Sequence, residues 1–323
     1  MKDEIFFTFF TDAHFSARPP GRRVGDYQAS LMNKLKFIRE WTNTKGGSCL
    51  FGGDLLHIKT PGSFCNTKSL LRELIEELSS FKDGKLYGVV GNHDVQYDRL
   101  DTLKDQPLGV LEAAGVFEIL NTNRFHLGNI DVEVVGFHTG EELDVLQKIL
   151  DTPKRDEGIT YRIGVAHAMA RPGGVQDHFG HPVIGYDLLE DIDFDVFLWG
   201  HDHSRVEPTE VGSCTHFHPG SMARAALSKE ETDRPVTVLG LRFTEDGWGF
   251  REVEIPVEPL KIAFRTADKD ISKIQDGTEV QGFLQEVKDS IGTIETQDPL
   301  RIIEELCGVD EKLKALVMEL AEL

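Results

Sequence analysis

Cysteine is scarce in this chain. The four present (Cys49, Cys65, Cys214, Cys307) fall without the paired spacing of a zinc knuckle or a disulfide framework. That excludes a disulfide-stapled secreted fold, and a reducing, cytoplasmic compartment is expected. Long apolar runs are missing too. The run at residues 5–11 is too short for a membrane span and follows the acidic Asp3 and Glu4. It reads as a buried first strand, and no membrane association is expected. Repeats and low-complexity tracts are absent. Positive charge is in deficit, with 35 Lys and Arg against 55 Asp and Glu, a net charge of −20. A protein that coats nucleic acid unaided needs a basic face, because phosphate neutralisation supplies much of the affinity. Any such contact here must be local, or rest on metal ions or a partner.

What is present is ordinary globular composition: 40% hydrophobic and 28% charged over 323 residues, enough for a real core. Strand and helix patterns alternate. Residues 5–11, 49–53, 85–90, 132–137, 162–167 and 196–200 read as strands. Residues 27–44, 66–81, 100–114, 141–150 and 184–191 read as helical, with Asn66 as the cap of the second. From about 215 to 256 the texture becomes strands and turns, with a hairpin at Glu245-Asp246-Gly247. The pattern predicts an α/β sandwich of two mixed sheets flanked by helices over residues 1–256, then a small appendage over 257–323. Asp298-Pro299 and Asp310 start two helices in that appendage.

Each charged motif falls where a predicted strand has just ended. The segments are Asp12-Ala13-His14, Gly53-Asp54, Gly91-Asn92-His93-Asp94, His167 and Gly200-His201-Asp202-His203. Carboxylate, imidazole and amide oxygen are good ligands for divalent manganese, iron or zinc. Residues two apart on a tight loop reach neighbouring positions, and the preceding glycines let the backbone turn towards a shared centre. A lone Gly-Asp is ordinarily a turn and a lone histidine ordinarily a packed side chain; five in order point to one metal centre.

The order Asp-x-His, Gly-Asp, Gly-Asn-His-Asp, His, Gly-His-x-His over residues 12–203 resembles that of the calcineurin-like metallophosphoesterases. The resemblance implies a four-layer α-β-β-α sandwich and a phosphoester hydrolase with two divalent metal ions. Asp12, His14 and His203 would bind one ion and Asn92, His167 and His201 the other, with Asp54 bridging. His93 would be the catalytic histidine, and Asp94 would orient it.

Smaller strings are similar to the SbcD-type DNA repair nucleases. They are Gly53-Asp54-Leu55-Leu56-His57, the basic loop Arg18-Pro19-Pro20-Gly21-Arg22-Arg23, and Pro219-Gly220-Ser221 with Arg224. That likeness implies a manganese-dependent DNA exonuclease or endonuclease, with Arg18, Arg22 and Arg23 gripping backbone phosphates. Arg171 and His178 are weaker candidates for the same task. His57 stands between support of the site and ordinary packing, and His126, His138, His181, His216 and His218 take no role. A homodimer through the helices at 66–81 and 100–115 is expected. The last helix, with Leu313, Leu316, Val317, Leu320 and Leu323 on one face, either packs on its own domain or docks an SbcC-type ATPase. The acidic charge favours the alternative substrate class, nucleotides and other small phosphoesters.

Overall fold

The computed structural model describes residues 3–59, 64–174, 182–226 and 234–264. They belong to two compact units, one of Met1–Pro19 with Asp26–Glu258 and one of Pro20–Gly25 with Pro259–Leu323. The predicted helices after Asp298, the apolar face at 313–323, His178 and His181 lie outside the described residues.

The larger unit is built on two six-stranded mixed sheets. In the first, β1 (Ile5–Phe10), β2 (Ser48–Phe51), β3 (Leu86–Gly88) and β4 (Phe117–Ile119) run parallel, and the hairpin β13 (Thr237–Thr244) and β14 (Gly247–Glu254) joins β1 antiparallel. The second has the order β11 (Val206–Val211), β12 (Cys214–His218), β10 (Val196–Gly200), β7 (Tyr161–His167), β6 (Ile130–Phe137) and β5 (Thr122–Leu127). Its four inner strands are parallel.

Alternation along β1 shows why it is apolar on both faces. Phe7 and Phe9 enter a core shared with Val134, Ile163, Val165 and Leu198 of the second sheet. Phe10 enters the other core, against α1 (Tyr27–Thr44), α2 (Lys68–Leu78) and α3 (Pro107–Ala113). On α1, Leu31, Leu35 and Ile38 form the buried stripe at helical spacing, and the Asp26 side chain caps the start by accepting from the Ala29 N–H. A third core lies on the outer face of the second sheet under α4 (Glu142–Leu150). The layers are thus helix, sheet, sheet, helix, as predicted.

Several local expectations are corrected. Thr67, not Asn66, caps α2, its hydroxyl accepting from the Leu70 N–H at 3.2 Å; the Asn66 amide donates instead to the Ile58 carbonyl. The predicted helix at 100–114 is a 3-10 turn, Leu100–Asp105, and then α3, broken at Gln106. Pro107 forces that break, because the residue before proline is driven out of the helical region. Residues 184–191 are not a helix but a two-residue strand β9 (Ile184–Gly185), paired with β8 (Ala170–Arg171), and a 3-10 turn at Tyr186–Leu189. Strands β4, β5 and β11 are additions to the predicted set. In the smaller unit, a four-residue helix α5 (Leu260–Ala263) is followed by Phe264, which bridges to Arg23. Among the described residues no helix is long and apolar enough to cross a membrane.

Candidate metal centre

Register decides where the motifs go. Phe10 of β1 pairs with Phe51 of β2, and Phe51 with Gly88 of β3, so these strands release Asp12, Asp54 and Asn92 at one edge. In the second sheet Gly200 pairs with His167, which places His201 and His203 beside it. The two sheets meet at these carboxyl ends. The His167 Nδ1–H donates to the Gly52 carbonyl at 2.8 Å, and the His201 N–H donates to the Asp12 carboxylate at 3.1 Å. Strand carboxyl ends are where α/β folds collect their sites.

The backbone is strained there. Among the described residues six non-glycine residues have positive φ, and four of them are Asp12, His14, Asp54 and His201. Such conformations persist only where the surroundings over-determine them, and they concentrate at functional sites. Here they turn side chains of successive residues inward. The glycines serve closeness as well as turning. A Cβ at Gly91 would strike the Asp54 carboxylate, and one at Gly200 would strike Gly52 and Thr11.

Three groups of donor atoms result, the atoms of each lying within 4.8 Å of one another: Asp12, His14 and His203; Asp54, His167 and His201; His14, His57 and His93. The Nε2 atoms of His14 and His203 face each other at 2.9 Å. Asp54 lies between two groups, with Oδ2 3.7 Å from His14 Nε2 and Oδ1 3.4 Å from His167 Nε2. The Asn92 amide oxygen is 3.1 Å from His167 Nε2. Thus all seven predicted ligand residues are brought to one place.

The donors fit divalent cations. Nitrogen and oxygen ligands about 2.0–2.2 Å from an ion are themselves about 3–4 Å apart. The Gly52 carbonyl can only accept, so Nδ1 of His167 carries a hydrogen and Nε2 is its ligand atom. Among the described residues no lysine or arginine pairs with Asp12 or Asp54, although both are buried. Burial pushes Asp12 above the usual carboxylate range. Burial also raises Asp54, but the His167 imidazole beside it outweighs burial and holds that carboxyl well below the usual value. Burial drives His201 down to about 3 and His14 well below its ordinary value, so both rings are neutral and able to ligate.

His93 lies beside this set. Its ring is edge-on to His14 with centroids 4.9 Å apart, and its Nδ1–H donates to the His57 carbonyl at 2.6 Å. The His57 ring stacks parallel to it at 5.9 Å. Asp94 does not touch the His93 ring, which corrects its expected role. Its buried carboxylate accepts the N–H groups of Asp54, Leu55, Leu56 and Gly91 at 2.9–3.3 Å, tying the second and third motif loops together. Burial and the nearby Asp54 push it up to about 7.

The arginines fare differently. Arg18 is exposed, with its guanidinium over the Phe64 ring at 4.8 Å. Arg22 and Arg23 fall in the smaller unit. Arg23 is buried, with its guanidinium over Phe264 at 5.1 Å, and so is not the exposed phosphate grip expected of it. Arg171 is held by Asp202, between His201 and His203, with Nε 2.5 Å from the carboxylate.

Some supporting residues escaped sequence reasoning. The Thr11 hydroxyl donates to Asp12 at 2.6 Å, and the Ser221 hydroxyl contacts the Asp12 carbonyl at 3.0 Å. The Ser221 N–H also reaches the His203 carbonyl, so the Pro219-Gly220-Ser221 turn braces the first and last motifs together. His138 accepts the Val90 N–H at 3.1 Å and steadies the strand end before Gly91. Only the Pro-Gly-Ser turn carried a sequence signal.

No curated protein is a detectable sequence match. Similar solved structures include a novel archaeal phosphodiesterase (14% identity, 77% of this chain and 99% of that one, TM-score 0.37). The Haemophilus influenzae NAD nucleotidase NadN is also similar (14%, 99% and 61%, TM-score 0.43). So is the 5'-nucleotidase precursor of Thermus thermophilus (12%, 88% and 60%, TM-score 0.44). This chain therefore spans about 60% of the length of each nucleotidase. Residues 7–205, which include all seven predicted ligand residues and His93, match the calcineurin-like phosphoesterase family, and the chain belongs to that family.

Proposed function

We propose that this protein is a two-metal phosphodiesterase that cuts nucleic-acid backbones, a manganese-dependent DNA nuclease of the SbcD type. The observation that carries the hydrolytic core is the Asp54 carboxylate, whose two oxygens face His14 at 3.7 Å and His167 at 3.4 Å. Asp12, His14, His203 and Asp54 would hold one cation, and Asn92, His167, His201 and Asp54 the other. Bound there, two divalent ions supply positive charge for the phosphate and a water acidic enough to attack near neutral pH.

The side chains do the rest. Anchored through Nδ1 on the His57 carbonyl, His93 keeps Nε2 for the substrate. In its imidazolium form that Nε2–H donates to a non-bridging oxygen as charge builds. The water gives up one proton to solvent, its oxygen bonds to phosphorus, the bond to the ester oxygen breaks, and the Nε2 proton passes to that leaving oxygen. Asp94 keeps the His93 and Asp54 loops in register, and Thr11 fixes the Asp12 carboxylate.

The DNA reading rests on the Gly53-Asp54-Leu55-Leu56-His57 string and the Pro219-Gly220-Ser221 turn. Its expected partners are a second copy of the chain, through the faces of α2 and α3, and an SbcC-type ATPase to supply basic surface. A second reading, hydrolysis of nucleotides or other small phosphoesters, is favoured by the net charge of −20 and by the burial of Arg23. End-labelled single- and double-stranded DNA, cyclic nucleotides and p-nitrophenyl phosphodiesters, each incubated with manganese, separate the two. Cutting of DNA that His93→Ala and Asp54→Ala abolish supports the nuclease; turnover of small esters alone sinks it.

A further inference from the structure

We propose that Tyr97 and Phe64 form an aromatic rim that stacks unpaired nucleobases flanking the scissile phosphate, an inference that rests on the nucleic-acid reading above. Among the described residues only three aromatic side chains are exposed: Phe64 at 76%, Tyr97 at 67% and Phe250 at 50%. Phe250 has a structural reason to be where it is, since it packs edge-on against Phe217 at 4.8 Å. The other two stand on the loops that leave the metal-centre motifs.

Tyr97 follows His93 by four residues, so their Cα atoms are within about 15 Å. Its loop is built to present it. Tyr97 and Asp98 both adopt left-handed backbone, at φ 54° and 52°, a conformation that costs a bulky residue energy. The Thr102 hydroxyl laces the turn by accepting the Gln96 N–H at 3.0 Å and donating to the Arg99 carbonyl at 2.7 Å. An exposed tyrosine held in a strained, braced turn beside the catalytic histidine has no core to fill.

Phe64 stands at the end of a ladder that begins in the metal centre. The N–H groups of His14 and Phe15 donate to the carbonyls of Asp54 and Leu55, the His57 N–H donates to the Phe15 carbonyl, and the Ala17 N–H donates to the Cys65 carbonyl. Beyond that last rung Arg18 lies over the Phe64 ring at 4.8 Å. An aromatic ring paired with a guanidinium is a surface on which any base can stack beside its own phosphate.

Charge explains why stacking would be used. At a net −20 the chain has few cations to spare for tracking a backbone, whereas base stacking is sequence-tolerant and adds affinity that needs no cation of its own. Bases paired in a duplex offer no free faces, so the rim selects single-stranded or frayed segments.

The test is steady-state cleavage, with manganese, of a single-stranded oligonucleotide and of the same strand with tetrahydrofuran abasic residues flanking the cleavage position. Tyr97→Ala and Phe64→Ala are each expected to raise KM for the base-bearing strand about tenfold, which is about one stacked base. Tyr97→Phe keeps the ring and should keep the wild-type KM. On the abasic strand wild type should already show the raised KM, and the alanine variants should add nothing. A base-bearing strand cut with the same KM by wild type and both alanine variants would overturn the rim and leave the nuclease reading standing. Failure of wild type to cut any strand, with small esters still turned over, would overturn both.

Discussion

The Nδ1–H of His93 donates to the main-chain carbonyl of His57 at 2.6 Å, so the imidazole proposed as catalytic is aimed by backbone rather than by a carboxylate. Substituting His57 leaves that carbonyl in place and removes only the stacked ring. His93→Ala should therefore lower kcat by about 10²–10⁴-fold, the usual range for a positioned acid. His57→Ala should lower it by about tenfold or less. Steady-state kinetics on one phosphodiester checks both, and equal losses would show that the His57 ring itself takes part.

Asp94 accepts four main-chain N–H groups from two loops, two on each oxygen. Asp94→Asn turns one oxygen into a donor and leaves two buried N–H groups facing it. At about 1–3 kcal/mol for each unsatisfied group, a loss of about 2–6 kcal/mol is expected in urea unfolding. An unchanged midpoint would show that the loops are held by other means.

Gly91 touches the Asp54 carboxylate so closely that no Cβ fits. Gly91→Ala should displace Asp54, reduce the number of bound metal ions, and cost about 100-fold in kcat/KM, as misplacement by about 1 Å does. Elemental analysis of the purified variant reports the ions directly. Full metal content with full activity would contradict the packing.

His216 gives the fold an acid-sensitive point away from the metal centre. It accepts the Trp199 indole N–H at 3.1 Å, and burial pushes its pKa down to about 4. Below about pH 6.5 the unfolded chain takes up a proton that the native ring refuses. The stabilisation is complete above that pH and is lost as pH falls towards 4, by about 2 kcal/mol between pH 7 and pH 5. His216→Gln removes this titration, so the stability gap between wild type and variant should narrow over that interval. A gap that stays constant would mean that His216 titrates normally in the native state.

The metal centre was legible because its residues come as short motifs at strand ends, where glycine, carboxylate and imidazole have few reasons to coincide. The helix–sheet–sheet–helix layering was legible for a related reason: residues 5–10 and 196–200 are apolar on both faces. What escaped notice has no periodic signature. Strand β5 carries Thr122, Asn123, Arg124 and His126, and of its side chains Phe125 packs on the inter-sheet core. The break at Gln106 was readable from Pro107, but the apolar spacing across it suggested one helix. Asp94 was assigned to His93 because the two are adjacent, whereas its partners lie mainly 38–40 residues away on the Asp54 loop. His138 acts through a single hydrogen bond that the register creates, and Thr11 through one to its neighbour Asp12 that no pattern singles out.

The most direct test is a manganese titration of the chelated protein that follows bound ions and phosphodiester hydrolysis together. Two ions per chain are expected, with hydrolysis appearing as the second binds, and Asp54→Ala should lose both the pair and the activity. A single ion at full activity, or hydrolysis that survives chelation, would contradict a two-metal centre joined by Asp54.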